Sequence, residues 1–225
     1  MTDTGTRTVQ RALRLLTAVA EDGGTLSQLA RDADLSPSTA SRLLSTLAGQ
    51  ELVRRDEHGH YRAGARLRRL AAATLRADPV YELAGPHLEA LAGETGETAN
   101  LAVPADARHA VYLRQVASPR LVQTAAWVGR TVPTRGTALG AALRGSLDGR
   151  LYVARTGAVE AEVISIAAPV YGPGGAVTAA LSVLAPAYRM TPRRIETCGD
   201  AVARHATALS GSLGAPVEAP GAAAA

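Results

Sequence analysis

The chain contains no lysine, no phenylalanine, one cysteine and one tryptophan among its 225 residues. The missing lysine excludes a Walker-type phosphate loop, which needs that side chain to reach the β- and γ-phosphates. A lone cysteine, Cys198, excludes an internal disulfide and any zinc site built on several thiolates. It sits in IETCGDAVARHATAL, a helical pattern in which it reads as a buried, inert thiol. No apolar run reaches the roughly 18 residues of a membrane span, and MTDTGTRTVQ carries no hydrophobic signal region, so the expected compartment is the cytosol. His87, His109 and His205 are scattered, and no serine or cysteine stands in a strand-turn-helix elbow. GPGG at 172–175 reads as a hairpin turn. The chain is therefore read as a non-enzyme, with no cofactor and no metal.

All 24 basic residues are arginine. Through Arg76 there are 12 arginines against 8 acidic residues, a net charge of +4; from Ala77 onward the count is 12 against 12. The whole basic excess belongs to the first third, as a region that alone meets a polyanion requires.

Residues 35–47, LSPSTASRLLSTL, sort cleanly when wound as a helix. Ala40, Leu43, Leu44 and Leu47 fall within an arc about 100° wide, and Ser38, Thr39, Ser41, Arg42, Ser45 and Thr46 fill the rest. Ser36 stands as N-cap and Pro37 at the first helical position. Solvated helix faces are usually built from Glu, Lys and Gln, because Ser and Thr are poorer helix formers. A face of short hydroxyls instead lets a helix axis come close to a surface.

The flanking segments supply a context. Val9, Ala12, Leu13, Leu16 and Ala20 make a helical stripe ending at Asp22-Gly23-Gly24. Thr25 and Gln28 form a capping-box pattern before Leu26, Leu29, Ala30 and Ala33. Only Asp34, Leu35 and Ser36 then precede the hydroxyl-faced helix, a helix-turn-helix spacing in which Asp34 must take the positive φ usually given to glycine. After it, Leu52 and Val53, then Tyr61, flank DEHG, with Gly59 for a hairpin turn. A helix-turn-helix followed by a basic hairpin is a winged helix, with Arg54, Arg55, His58, His60 and Arg62 in or beside the wing. The two wing histidines lack a nearby third ligand and read as exposed or phosphate-facing.

On DNA, Ser38, Thr39, Ser41 and Arg42 would approach the major groove. Arg42 either reads a guanine or holds a phosphate; the other three divide between phosphates and bases. Arg7, Arg11 and the wing arginines, Arg62 among them, would contact the backbone or remain ordinary solvated charges. ARLRRLAAATLR, residues 65–76, is a connecting helix with Leu67, Leu70, Ala71 and Leu75 on one face, ended by Asp78-Pro79. The remainder, to about Gly214, reads as mixed α/β. ETANLAVPA, AVYLRQVA, RLVQTAAWV, ISIAAPVY and AVTAALSVLA are its strand candidates, and GTALGAALRGSL and residues 192–213 its helices. GAPVEAPGAAAA is low in complexity and expected to be disordered.

The order of these elements resembles the IclR family of bacterial transcription regulators. TLSQLARDADLSPSTASRLLSTLAGQELVRRD and GHYRAGARLRRLA resemble its winged helix and linker helix; ETGETANLAV, WVGRTVPTRGTALGAAL and ISIAAPVYGPGGAVTAALSVLAP resemble its effector domain. The resemblance implies an α+β chain: a winged helix-turn-helix in 1–64, a linker helix in 65–78, a shortened GAF-like α/β domain in 79–214 and a tail in 215–225. It implies a homodimer or dimer of dimers on a pseudo-palindromic operator and a small effector; repression is the expected output, because blocking a promoter requires only occupancy. Carried onto this chain, DNA contacts fall on Thr39, Ser41 and Arg42. The effector pocket falls near Ala138 and Leu139 and on Ser165 and Ser182; read from the residues themselves, a helix N-terminus at Thr137 to Gly140 would suit a carboxylate. Ser165 stands where many members have cysteine, and Ser165 and Ser182 read equally as hydroxyls bonded to a neighbouring strand. Arg155 falls where the family has an acid and favours an anionic ligand, or is a plain surface charge. Arg135 and Ala141 replace the usual His and Lys. Helical segments the family carries between Leu147 and Leu151 are missing, so an effector-independent dimeric DNA-binding regulator is the alternative reading.

Overall fold

The computed structural model describes residues 3–147 and 149–216. The chain divides into two compact units, Met1–Ala77 and Asp78–Ala225. The expected disordered tail lies outside the described residues apart from Ala215 and Pro216.

The first unit runs α1 (Asp3–Glu21), α2 (Leu26–Asp32), α3 (Pro37–Gly49), β1 (Val53–Arg55), β2 (Tyr61–Ala63) and α4 (Ala65–Arg76). Its boundaries are set by local chemistry. Thr25 accepts from the Gln28 N–H while the Gln28 side chain accepts from the Thr25 N–H, closing the capping box before α2. Asp34 takes φ 53° between α2 and α3, and Ser36 caps α3 ahead of Pro37. Gly24 pairs with Tyr61 through two backbone hydrogen bonds, adding a one-residue third strand to the wing. That approach explains Gly23: at φ +65° an added Cβ would lie 2.7 Å from the Tyr61 carbonyl oxygen.

The core of this unit joins Leu15 and Val19 of α1 to Leu29, Ala30 and Ala33, to Ala40, Leu43, Leu44 and Leu47, and to Val53 and Tyr61 of the wing. The α1 stripe read from sequence is corrected. Leu15 and Val19 are buried, whereas Val9 and Leu13 are 58% and 56% exposed. The helix carries two apolar faces, and periodicity alone does not say which one meets the core. α4 buries no residue, although its apolar positions share a face. Its first turns are tied to the end of α3 by Arg66 donating to Gln50 and by the Arg69–Glu51 ion pair.

The second unit contains α5 (Pro79–Thr95), β3 (Thr98–Pro104), β4 (His109–Val116), β5 (Thr131–Pro133), α6 (Ala138–Leu143), β6 (Val153–Thr156), β7 (Val163–Tyr171), β8 (Val177–Pro186), a short 3-10 turn (Ala187–Arg189) and α7 (Pro192–Ser212). One antiparallel sheet has the order β5-β4-β3-β8-β7-β6. Alternation assigns its two faces. Ala99, Leu101, Ile164, Ile166, Leu181 and Val183 pack with α5 and α7; Ala102, Ala180, Leu184, Ala167 and Tyr112 pack with α6. Covered on both sides, β7 and β8 are apolar almost throughout.

Three readings of this unit are corrected. RLVQTAAWV is a loop whose backbone, among the described residues, pairs with the sheet only at the isolated bridge between Tyr112 and Val128. GTALGAALRGSL yields only the six-residue α6. Asp78-Pro79, taken only as a stop, opens α5: Asp78 caps it by accepting from the Val80 N–H at 2.9 Å. Where β3 begins, the fully buried Glu97 carboxylate is met by Arg189, by Arg194 at 3.1 Å and by Arg120 at 3.8 Å. Three guanidiniums compensate the cost of burying that charge.

Candidate functional sites

The first site is the outer face of α3. Burial of Ala40, Leu43, Leu44 and Leu47 fixes its rotation and turns Ser38, Ser41, Arg42 and Ser45 outward, with Thr39 half-buried. The hydroxyls are pre-arranged by the cap. Ser36 Oγ accepts from the Thr39 N–H and donates to Thr39 Oγ1 at 2.9 Å, and lies 3.2 Å from Ser38 Oγ. Since Thr39 Oγ1 accepts in that bond, its own proton is available to an outside acceptor. Among the described residues no side chain binds the Arg42 guanidinium, so its five donors face solvent. Arg11 is likewise exposed and unpaired.

The wing divides its arginines. Arg54 and Arg62 stand opposite each other in register, so like charges share one face. Asp56 relieves this by pairing with Arg62 at 3.4 Å and accepting from the backbone N–H groups of His58 and His60. The His60 N–H contributes most to holding the Asp56 carboxyl below its ordinary value, with Arg62 adding to it. Arg55 donates to the Gly59 carbonyl and lies over the Tyr61 ring. Arg62 is therefore partly committed within the wing, and Arg54 is the wing arginine whose guanidinium has no hydrogen-bond or ionic partner among the described residues. Among the described residues, no group of three or more His, Cys, Asp or Glu side chains converges as a metal site would.

The second site is a cavity in the second unit, on the α6 side of the sheet. Its interior has room for water-sized groups over only about 40 Å³, and the space reaches about 440 Å³ only when the gaps between atoms and the open mouth are counted. Tyr112, Trp127, Val132, Leu139 and Leu184 supply apolar wall; Thr137, Ser165, Arg155 and Glu160 supply the polar positions. Thr137, Leu139, Ser165 and Arg155 of the residues singled out from sequence thus line one cavity. Ala138 and Ser182 do not: Ala138 packs into the core beneath α6, and Ser182 is fully buried on β8.

The hydroxyls differ in what they can offer. Thr137 Oγ1 donates to the Thr134 carbonyl at 3.0 Å and accepts from the Gly140 N–H at 3.0 Å, so it serves as the α6 cap. That tight turn needs Gly140, because an added Cβ would sit 1.8 Å from the Thr134 carbonyl oxygen. By contrast, Ser165 Oγ, Ser182 Oγ and Asn100 Oδ1 are buried and, among the described residues, have no hydrogen-bond partner. They lie on the same face of neighbouring strands: Ser182 is in register with Asn100, and Ser165 with Arg155. Burial pushes the Tyr112 phenol up to about 12. Ser182 beside it opposes part of that rise without making a hydrogen bond of full geometry.

Sequence reasoning missed Tyr112, Trp127, Val159, Glu160 and Leu184 in this lining. The lone tryptophan was the available signal. Its backbone N–H is held by Gln115 Oε1 at 3.0 Å, and its ring lies 6.1 Å from that of Tyr112.

The IclR helix-turn-helix domain matches residues 8–57, and the bacterial transcriptional regulator IclR C-terminal domain matches residues 72–149 and 152–211. The chain belongs to the IclR family. The transcriptional repressor IclR of Escherichia coli K12 is 33% identical over 146 residues, covering 63% of this chain; the chain spans about half of that relative, 53%. The repressor AllR of Klebsiella pneumoniae is 27% identical over 248 positions, covering 93% of this chain and 91% of the relative. That alignment is longer than the 225-residue chain, so the relative carries segments missing here. The break at residues 150–151 in the C-terminal match falls where the sequence reading places the missing segment. Among solved structures, an IclR regulator from Silicibacter sp. TM1040 superposes with a TM-score of 0.76 at 27% identity, covering 95% of this chain and 99% of that one. An IclR homolog of Microbacterium hydrocarbonoxydans, complexed with 4-hydroxybenzoate, superposes at 0.72 and 23% identity over 91% and 99% of the two chains, a likeness of fold. The family is one of transcription regulators rather than enzymes. No helix among the described residues is long and apolar enough to cross a membrane.

Proposed function

We propose that the protein is a DNA-binding transcription regulator that represses as a cytoplasmic homodimer on a pseudo-palindromic operator, and that the cavity of its second unit takes a small carboxylate-bearing effector. The outer face of α3 carries this reading: hydroxyls held short and oriented by the Ser36 cap, beside a guanidinium with every donor unspent. Short hydroxyls let the helix seat deeply in a major groove, and one long fork then reaches a base edge. Arg11, Arg54 and the wing's Arg62 supply backbone contacts, the term that weakens with salt. Segment 65–78 is the linker between the two units. Repression follows the names of the relatives, both called repressors.

For the effector, the unpartnered Ser165 hydroxyl and Arg155 beside it in register give a carboxylate a donor pair. The cavity also favours a sensor over an effector-independent regulator, despite the shortened domain. The α6 N-terminus contributes less than the sequence suggested, since Thr137 already occupies the Gly140 N–H.

Fluorescence anisotropy of the full-length protein on the duplex upstream of its own gene, against a shuffled duplex, tests the reading. The expected preference is about a thousandfold or more at physiological salt, with affinity falling steeply as salt rises. Equal binding to both duplexes, or none, would overturn it.

A further inference from the structure

We propose that the ligand of the cavity is a zwitterion, an α-amino acid with an apolar or aromatic side chain; this rests on reading the cavity as the effector site. The observation behind it is a pair of opposite charges. Arg155 and Glu160 both line the cavity, and among the described residues neither has an ionic partner, not even each other. Arg155 donates only to the Ala154 carbonyl at 3.0 Å.

A simple carboxylate attracted by Arg155 is repelled by Glu160, and a simple amine meets the reverse. An uncharged apolar molecule gains nothing from either charge. Only a ligand carrying both signs answers both charges, and the misplaced charge then acts against every competitor. Arg155 offers a two-pronged donor for the carboxylate. Ser165, directly across from Arg155 in the β6–β7 register, adds a buried hydroxyl that has no other partner. Glu160, in the turn between those strands, accepts from the ammonium. The side chain then enters the part of the cavity walled by Tyr112, Trp127, Leu139 and Leu184.

Calorimetric titration of the full-length protein tests this with L-leucine and L-phenylalanine, their des-amino acids 4-methylpentanoate and 3-phenylpropanoate, and their amines 3-methylbutylamine and 2-phenylethylamine. One amino acid should bind saturably and at least about tenfold more tightly than its own des-amino acid and its own amine. Glu160→Gln should erase the advantage over the des-amino acid without weakening the des-amino acid, and Arg155→Gln should erase the advantage over the amine. Both side chains are exposed, so the variants fold. A des-amino acid that binds as tightly as its amino acid, or amino-acid binding indifferent to both substitutions, overturns the zwitterion and leaves the cavity reading standing. No saturable binding by any of the six compounds overturns both.

Discussion

The two sites are made of the same parts, serine and threonine hydroxyls beside an unpaired arginine, yet they hold them in opposite states. On α3 the hydroxyls are exposed, and Ser36, Ser38 and Thr39 are near or bonded to one another. In the cavity wall and just behind it, the Ser165 and Ser182 hydroxyl oxygens are buried and, among the described residues, have no hydrogen-bond partner. Water serves an exposed hydroxyl at little cost, so the α3 face waits without strain for any surface that fits it. A buried hydroxyl with no partner carries a standing desolvation cost that only an incoming group removes. One site is ready because solvent satisfies it, the other because nothing does.

The largest effect that could break this contrast is at the turn shaping the cavity. Gly140→Val should cost about 4 kcal/mol or more in urea unfolding, because the new side chain meets the Thr134 carbonyl with no flexible atom to give way. A smaller effect comes from Tyr112. Its phenol is pushed up to about 12, above an unfolded value near 10.0, so the stabilisation is complete below pH about 10 and is lost as pH rises toward 12. Two units correspond to about 2 to 3 kcal/mol. Tyr112→Phe should remove that alkaline slope from the unfolding curve.

Two serine substitutions sharpen the comparison itself. Ser36→Ala should destabilise the first unit by about 1 kcal/mol, the usual worth of an N-cap. Ser165→Ala should leave stability unchanged or raise it by less than about 1 kcal/mol, since the lost group had no bond to lose. A destabilising Ser165→Ala, measured by thermal unfolding without ligand, would show that this hydroxyl has a partner.

The same contrast explains how much of the molecule was legible in its sequence. The capping box at Thr25, the Ser36-Pro37 start, the left-handed Asp34 and the Gly59 turn are decided within three or four residues, and the buried set of α3 follows from one unambiguous stripe. α1 offers two stripes, and packing chose Leu15 and Val19 over Val9 and Leu13. The segment RLVQTAAWV has strand-like composition, but beyond the Tyr112–Val128 bridge it finds no strand to pair with, and it carries Trp127 to the cavity as a loop. Glu160 and Leu184 meet Tyr112 only after six strands have paired. No spacing along the chain encodes that meeting. Of what sequence did mark in the cavity, Leu139, Arg155 and Ser165 came through family resemblance, and Thr137 through its place at a helix start; none came through periodicity.

The claim that the outer face of α3 lies against duplex DNA is tested most directly at Arg42, whose exposed guanidinium has no hydrogen-bond or ionic partner among the described residues. Dissociation constants of the wild type and Arg42→Ala should be compared on the upstream duplex and on a shuffled one. The account predicts a loss of about 1 to 3 kcal/mol on the upstream duplex, with preference relaxed at one base pair and little change on the shuffled sequence. Undiminished binding to the upstream duplex, or an equal loss on both, would contradict it.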